Sequence, residues 1–383
     1  MTTSSLTSAG LLLVAFAMIA HGAAPTASAP SQTISAAEEA ATLAALAPPK
    51  RARPVVAVLG LNEGSETTDY LVPFGVIKRS GVADVFAVSI RPGPITLMPT
   101  LTVVPDATTS EFDQRFPEGA DYVIVPAMHV DNDAAVLAWI AAQADRGATI
   151  VGVCAGALVL ANAGVLHDRR ATTHWFRVGD MEKTDPSIRY TPGRRYVVDR
   201  GAVTTTGVSA SLPIALAIVA AVGGRERADS LARELGSGDW SAAHDNTEFR
   251  LSAGVLAAYA WSFAAFWRHE SVGIPASDGV DEIALALTSN AWAATHLASV
   301  QTLAATAQPI VMRQGLQLLP DATLDSARVS LLLEPLPAAS PGYALDRTLA
   351  EIQTRYGATT AQIVRLELEY PNAALQLAGD ATR

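Results

Sequence analysis

Residues Thr149–Gly156 read TIVGVCAG. A β-branched run enters a Gly-x-Cys-x-Gly pattern, and Ala155–Ala163 continues with helical spacing. The pattern predicts a buried strand over Thr149–Val153, a one-residue turn at Cys154, and a helix behind it. Small residues on both sides of the turn leave the thiol room to meet a substrate. Unpaired N–H groups and the dipole at the start of a helix favour negative charge there. On that reading Cys154 is exposed, with a thiol pKa drawn below its usual value.

Working outward, strands and helices alternate. Val55–Leu59 and Tyr122–Pro126 are short apolar strand candidates, and Val85–Ile90 is another. Asp69–Arg79 is helical and stops at Ser80-Gly81. Ala134–Arg146 is a helix closed by Gly147. Tyr196–Asp199 and Ala202–Thr205 can pair as a hairpin. The apolar stretch Leu212–Val222 reads as a buried helix. Repeated βαβ units imply an α/β fold, a doubly wound and mostly parallel sheet with helices on both faces. Beyond about residue 225 the pattern weakens, with helical stretches at Arg225–Leu235 and Val255–Trp267.

The bulk numbers fit this class. The chain has 383 residues, half of them hydrophobic and 17% charged, which suits a well-filled core. A net charge of −10 disfavours nucleic acid as a partner. Two short basic clusters, Lys50–Arg53 and Arg194–Arg195, read as a solvated linker and a solvated loop. The single cysteine cannot form an internal disulfide, and the seven histidines show no HExxH pattern. No metal and no cofactor is therefore expected.

The N-terminus reads as a targeting segment. Gly10–Ala20 is an apolar run of signal-peptide length, followed by small residues at Ala24 and Ala27-Ser28-Ala29. The n-region holds no Lys or Arg. Residues 1–24 are expected to be a signal peptide or a membrane anchor, and the protein to be exported to the periplasm or beyond. Residues 25–52, rich in Ala, Pro, Ser and Thr, read as a linker, with folding expected from Arg53 onward.

One internal likeness stands out. Pro94-Ile95-x-Leu97-x-x-x-Leu101-x-x-x-Pro105-Asp106-Ala107-Thr108 recurs at Pro309-Ile310-x-Met312-x-x-x-Leu316-x-x-x-Pro320-Asp321-Ala322-Thr323, at a constant offset of 215. Either similar turn chemistry arose twice, or residues 251–383 hold a degenerate partial repeat of the first domain. Near the C-terminus, Asp346–Glu367 reads as two packed helices rather than a DNA-binding pair.

The segment Val151–Trp175 (VGVCAGALVLANAGVLHDRRATTHW) resembles the ThiJ/PfpI family of the class I glutamine-amidotransferase-like superfamily. It is most similar to the isonitrile-hydratase-like branch and to the amidase-like sensor domains fused to some AraC-type regulators. The likeness covers roughly residues 54–250. It implies a flavodoxin-like fold with a nucleophile elbow at Cys154. It also implies a carboxylate near the thiol, and Asp69, four residues before Pro73, takes that position, with Glu63 and Glu66 on the same loop as fallbacks. His174, 20 residues after Cys154, and His129 are further candidates, with Gly152 and the Cys154 and Ala155 N–H groups as binding or oxyanion elements. The family usually forms homodimers.

Two departures narrow the chemistry. Ala155 follows the cysteine where protease-like members carry His and isonitrile hydratases carry Thr. No His-x-Glu pair follows late in the domain, which argues against glutamine amidotransfer. The expectation is a cysteine-dependent hydrolase- or lyase-like enzyme acting on a small isonitrile, amide or aldehyde. The alternative is a ligand- or redox-sensing domain without a DNA-binding module.

Overall fold

The computed structural model describes residues 33–47 and 50–371. The apolar run Gly10–Ala20 and the cleavage contexts after it lie outside the described residues. Among the described residues, no helix is long and apolar enough to cross a membrane.

The first part of the chain alternates strand and helix as the sequence predicts. It runs α1 (Ala36–Ala45), β1 (Val55–Gly60), β2 (Ser65–Glu66), α2 (Thr67–Ser80) and β3 (Asp84–Ser89). A hairpin follows, β4 (Ile95–Met98) and β5 (Leu101–Val104), then β6 (Ala107–Thr108) and α3 (Thr109–Arg115). Next come β7 (Tyr122–Val125), α4 (Ala134–Asp145), β8 (Thr149–Gly152) and α5 (Gly156–Asn162). Short pieces β9 (Arg170–Ala171), α6 (Val178–Thr184) and β10 (Arg189–Tyr190) lead to the hairpin β11 (Tyr196–Asp199) and β12 (Ala202–Thr205). Helices α7 (Ser211–Gly223) and α8 (Arg225–Leu235) close this part.

The main sheet has seven strands in the order β11-β12-β8-β7-β1-β3-β6. All its pairings are parallel except β11 with β12, where Tyr196 opposes Thr205. Every residue of β1, β7 and β8 is buried, as a sheet covered on both faces requires. The chain winds outward from β1 to β3 and β6, then returns to β7 on the other side. Such a reversal opens a crevice at the carboxyl ends of the strands, and β8 ends there two residues before Cys154.

The second part begins with α9 (Ala253–Ala264), which is capped at Ala265 rather than running on to Trp267. It continues through β13 (Glu270–Pro275), α10 (Glu282–Ala293), β14 (Ala298–Ala304), β15 (Ile310–Val311), β16 (Gln317–Leu318), β17 (Ala322–Thr323) and β18 (Leu331–Leu332). Helices α11 (Ala344–Tyr356) and α12 (Ala358–Glu367) follow, the two packed helices expected there. A four-stranded parallel sheet runs β17-β14-β13-β18. A five-stranded sheet, β15-β16-β5-β4-β2, joins strands from both parts of the chain. One buried cluster runs through Phe74, Ile77, Ile283, Leu287 and Trp292, so both parts share a core.

Two expectations fail at the start of the chain. The Ala/Pro-rich stretch contains α1, and folding begins well before Arg53. Glu38 pairs with Arg194 at 2.7 Å, Glu39 pairs with Arg225, and Leu46 is fully buried. The basic cluster at Lys50–Arg53 is no free linker either. Buried Asp121 accepts from the Val55 N–H at 2.9 Å, from the Arg51 side chain at 2.7 Å, and from the Lys50 and Arg51 backbone N–H groups. Removing that carboxylate strands four donors around a buried site. Asp121→Ala is expected to lower the unfolding free energy by about 3 kcal/mol in urea titration; a loss below about 1 kcal/mol would show that the anchor is dispensable.

Candidate functional site

The elbow forms as the Gly-x-Cys-x-Gly pattern predicts. Cys154 has φ 55°, a left-handed conformation that costs a non-glycine residue about 1–3 kcal/mol and persists only where packing dictates it. The packing is specific. A Cβ at Gly156 would lie 2.2 Å from the Val125 carbonyl oxygen, and one at Gly152 would lie 3.0 Å from the backbone of Gly156 and Ala157. Gly152 sits in β8 between β7 and β12, so its role here is steric.

Threonines pin the turn. The Cys154 N–H donates to Thr205 Oγ1 at 3.0 Å, and that hydroxyl donates to the Thr206 carbonyl at 2.8 Å. Thr173 Oγ1 donates to the Cys154 carbonyl at 3.0 Å. The Cys154 N–H is therefore occupied and is not free to hold an oxyanion. The Ala155 N–H faces the sulfur and favours its anion.

The carboxylates arrive on the first turn of α2. Glu66 is its N-cap, accepting from the Asp69 N–H at 2.5 Å. Asp69 is fully buried; its Oδ2 accepts from the Ala127 N–H at 3.1 Å and its Oδ1 from Ser211 Oγ at 3.3 Å. The two carboxyl groups lie close enough for each to affect the other's proton affinity. Burial pushes Asp69 up to about 7. Burial first and the Asp69 charge second push Glu66 well above the usual carboxylate range. Asn290 Nδ2, from α10, donates to Glu66 Oε1 and to Thr68 Oγ1, the latter at 2.9 Å. Glu63 is exposed and pairs with Arg91 at 3.2 Å, so Glu66 and not Glu63 is the second acid of the site.

The expected exposed thiolate is corrected by these surroundings. Cys154 is only 6% exposed, and burial, then Asp69 and Glu66, push its thiol well above the usual value. The dipole at the start of α5 favours the anion, but desolvation next to two acids outweighs it. α5 is also only seven residues long. At neutral pH the resting group is a neutral thiol beside a proton-sharing acid pair.

The two histidines take other places. His174 is buried, with its Nε2 3.1 Å from the Glu367 carbonyl and its Nδ1 accepting from the Phe176 N–H at 3.3 Å. Both ring nitrogens are thus engaged away from the sulfur, and burial lowers its pKa. It is Thr173, the preceding residue, that touches the cysteine. His129 is exposed, and its backbone N–H donates to the Gly64 carbonyl at 2.9 Å.

Sequence reasoning missed the C-terminal wall. Glu369 Oε2 accepts from the Gly207 N–H at 2.7 Å and the Trp175 N–H at 3.1 Å, while its Oε1 lies 2.9 Å from His244 Nε2. This buried His–Glu pair joins residues 125 apart, beyond any local motif, and the Glu369 charge also raises the thiol. The run Thr204-Thr205-Thr206 was the one local signal for the groups holding the turn. Among the described residues, no group of three or more His, Cys, Asp or Glu side chains is placed to hold a metal.

A sequence profile of the DJ-1/PfpI family matches residues 55–221. The HTH-type transcriptional regulator CdhR of Pseudomonas aeruginosa is 31% identical over 94 residues, 24% of this chain and 28% of that protein. The Parkinson disease protein 7 homolog of Danio rerio is 26% identical over 175 residues, 44% of this chain and 90% of that protein. The chain thus spans little more than a quarter of the regulator's length. Among solved structures, a ThiJ/PfpI family protein from Pseudomonas syringae aligns at 26% identity and TM-score 0.42, over 47% of this chain and 74% of the other. An AraC family transcriptional regulator from Pseudomonas putida aligns at 17% identity and TM-score 0.42, over 47% and 98% respectively.

The raised Asp69 pKa fixes a sign. A carboxyl that titrates near 7 in the fold and near 3.8 when unfolded binds its proton more tightly in the fold. Its contribution is fully present below about pH 4 and is lost as pH rises through about 7. Asp69→Asn should remove that loss, flattening the fall in unfolding free energy over this window by roughly 2–4 kcal/mol in urea titrations at several pH values. An unchanged pH slope would show that Asp69 is ionised throughout.

Proposed function

On the premise that the chain belongs to the DJ-1/PfpI family through residues 55–221, we propose that it is a cysteine-dependent enzyme acting on a small electrophile. The substrate class is an amide, an aldehyde or an isonitrile, and the reaction is hydrolytic or hydrating. One observation carries this reading: a thiol held in a strained turn beside a buried acid pair whose proton affinity reaches neutrality.

The proposed roles follow from the geometry. The neutral thiol of Cys154 meets the electrophilic carbon of a bound substrate. Asp69, titrating near 7, accepts the thiol proton as the S–C bond forms, the arrangement of a nucleophile activated by an adjacent base. Glu66 keeps its proton and hydrogen-bonds Asp69, which limits the negative charge facing the developing thiolate. The Ala155 N–H favours that thiolate. For an amide, the C–N bond of the adduct then breaks as Asp69 passes that proton to the leaving amine; water adds to the thioester carbon while giving a proton to Asp69, and the C–S bond breaks with that proton returned to the Cys154 sulfur. Thr173 and Thr205 hold the turn and keep the sulfur in register. Ala155 in place of His argues against a peptide substrate, and its difference from Thr weakens the isonitrile member of the substrate class. Export is part of this reading and rests on Gly10–Ala20.

A second reading is a ligand or redox sensor. It is favoured by the near-complete burial of Cys154 and by the likeness to a transcriptional regulator.

The test is a turnover screen with small isonitriles, amides and α-oxoaldehydes. Wild type is expected to turn over one class, Cys154→Ala none, and Asp69→Asn to lose about 100-fold or more in kcat/KM. Turnover surviving Cys154→Ala would refute the mechanism. No turnover in any class, together with tight ligand binding or reversible oxidation at Cys154, would favour the sensor.

A further inference from the structure

The sequence likeness at an offset of 215 extends through the structure. β1 spans 55–60 and β13 spans 270–275; α2 begins at Thr67 and α10 at Glu282; β6 is 107–108 and β17 is 322–323. Each pair keeps the same offset. Side-chain bonds repeat as well. Asp106 Oδ2 accepts from the Ala87 N–H at 2.8 Å, and Asp321 Oδ2 accepts from the Thr302 N–H at 2.7 Å. Glu66 caps α2 and Asp281 caps α10. Val88 pairs with Ala107, and Leu303 with Ala322.

The way the two copies meet is equally regular. In the five-stranded sheet Val103 opposes Leu318, its own counterpart at offset 215, and Val104 opposes Gln317, the counterpart of Thr102. The reciprocal contact is present, since the Leu319 N–H donates to the Thr102 carbonyl at 2.8 Å. On the helices, Gly75 lies against Glu282, the counterpart of Thr67, while Asn290, the counterpart of Gly75, reaches Thr68 and Glu66. Residue i meeting j′ while j meets i′ is the signature of a two-fold, isologous interface. Here both sides belong to one chain.

We propose that residues 270–324 are a half-copy of residues 55–109 that docks on them as a second subunit would, so that the chain serves as its own partner, and that Asn290 is a positioning residue supplied by this half-copy to Glu66. The half-copy keeps the docking face and ends short of the position that matches Cys154. Its Asn290 amide ties Glu66, and through it the acid pair, to a part of the chain more than 200 residues away. The second clause rests on the reading of Cys154 as a reactive thiol; the first does not.

Two measurements on the full chain test it. The first is Val104→Cys with Gln317→Cys in a Cys154→Ala background, under mild oxidation. Opposed residues on paired strands fall within disulfide reach. The expected product is an internal disulfide in a chain that migrates as a monomer. A disulfide-linked dimer, or folded protein that fails to cross-link, would overturn the built-in partner. The second is the pH profile of Cys154 alkylation. Asn290→Ala removes a donor that favours ionised Glu66, so the pair holds its proton more firmly and the thiol should react at least about threefold faster near neutral pH. Asn290→Asp adds negative charge and should slow it by a similar factor. Shifts in the same direction, or none, would overturn the positioning role. A wild-type Cys154 that does not react at any pH would fail the enzyme reading instead, and the cross-link would still decide the half-copy.

Discussion

The close approach of Gly156 to the Val125 carbonyl is the constraint on which this site depends. At that distance no side chain fits, so helix α5 can start directly on the edge of β7 and β8. The strand must then turn within a single residue, and Cys154 takes the left-handed conformation that results. Thr205 and Thr173, from the neighbouring β12 and the loop after β9, satisfy the backbone of that residue and hold it in place. The sulfur is thereby brought toward the first turn of α2, where burial raises the proton affinity of Glu66 and Asp69.

Burial sets the chemistry of that meeting. Two acids and a thiol in a desolvated space cannot all be charged at once. The arrangement keeps the thiol neutral at rest and places an acceptor for its proton beside it, so reactivity belongs to the three groups together. Helix α10 packs against α2, and through Asn290 the C-terminal part of the chain reaches the same proton. Trp292 and Phe74 belong to one buried cluster that runs through both parts of the chain.

Much of the fold was legible. The β-branched run before Cys154, the glycines at 152 and 156, and the Ala-rich stretch after them specify strand, turn and helix from local chemistry alone. Asp69 was pointed to by the family resemblance, which its spacing from Pro73 carries. What was not legible depends on distant partners. Helix α1 looked like linker because its support, Arg194 and Arg225, lies more than 150 residues away. The His174 spacing pointed to the site, but the Glu367 carbonyl turns its ring elsewhere. Asn290 and Glu369 carry no motif and enter only through tertiary packing. The thiol pKa was misjudged because a helix start is visible in sequence, whereas the depth at which it is buried is not.

The central claim is that Glu66 and Asp69 hold one proton between them beside Cys154 at neutral pH. Infrared difference spectroscopy of wild type against Glu66→Gln tests it most directly, at about pH 7. The account predicts a protonated-carboxyl carbonyl band in the wild type that Glu66→Gln removes and Cys154→Ala retains. A wild type showing only carboxylate bands, with no protonated carboxyl lost on the Glu66 substitution, would contradict it.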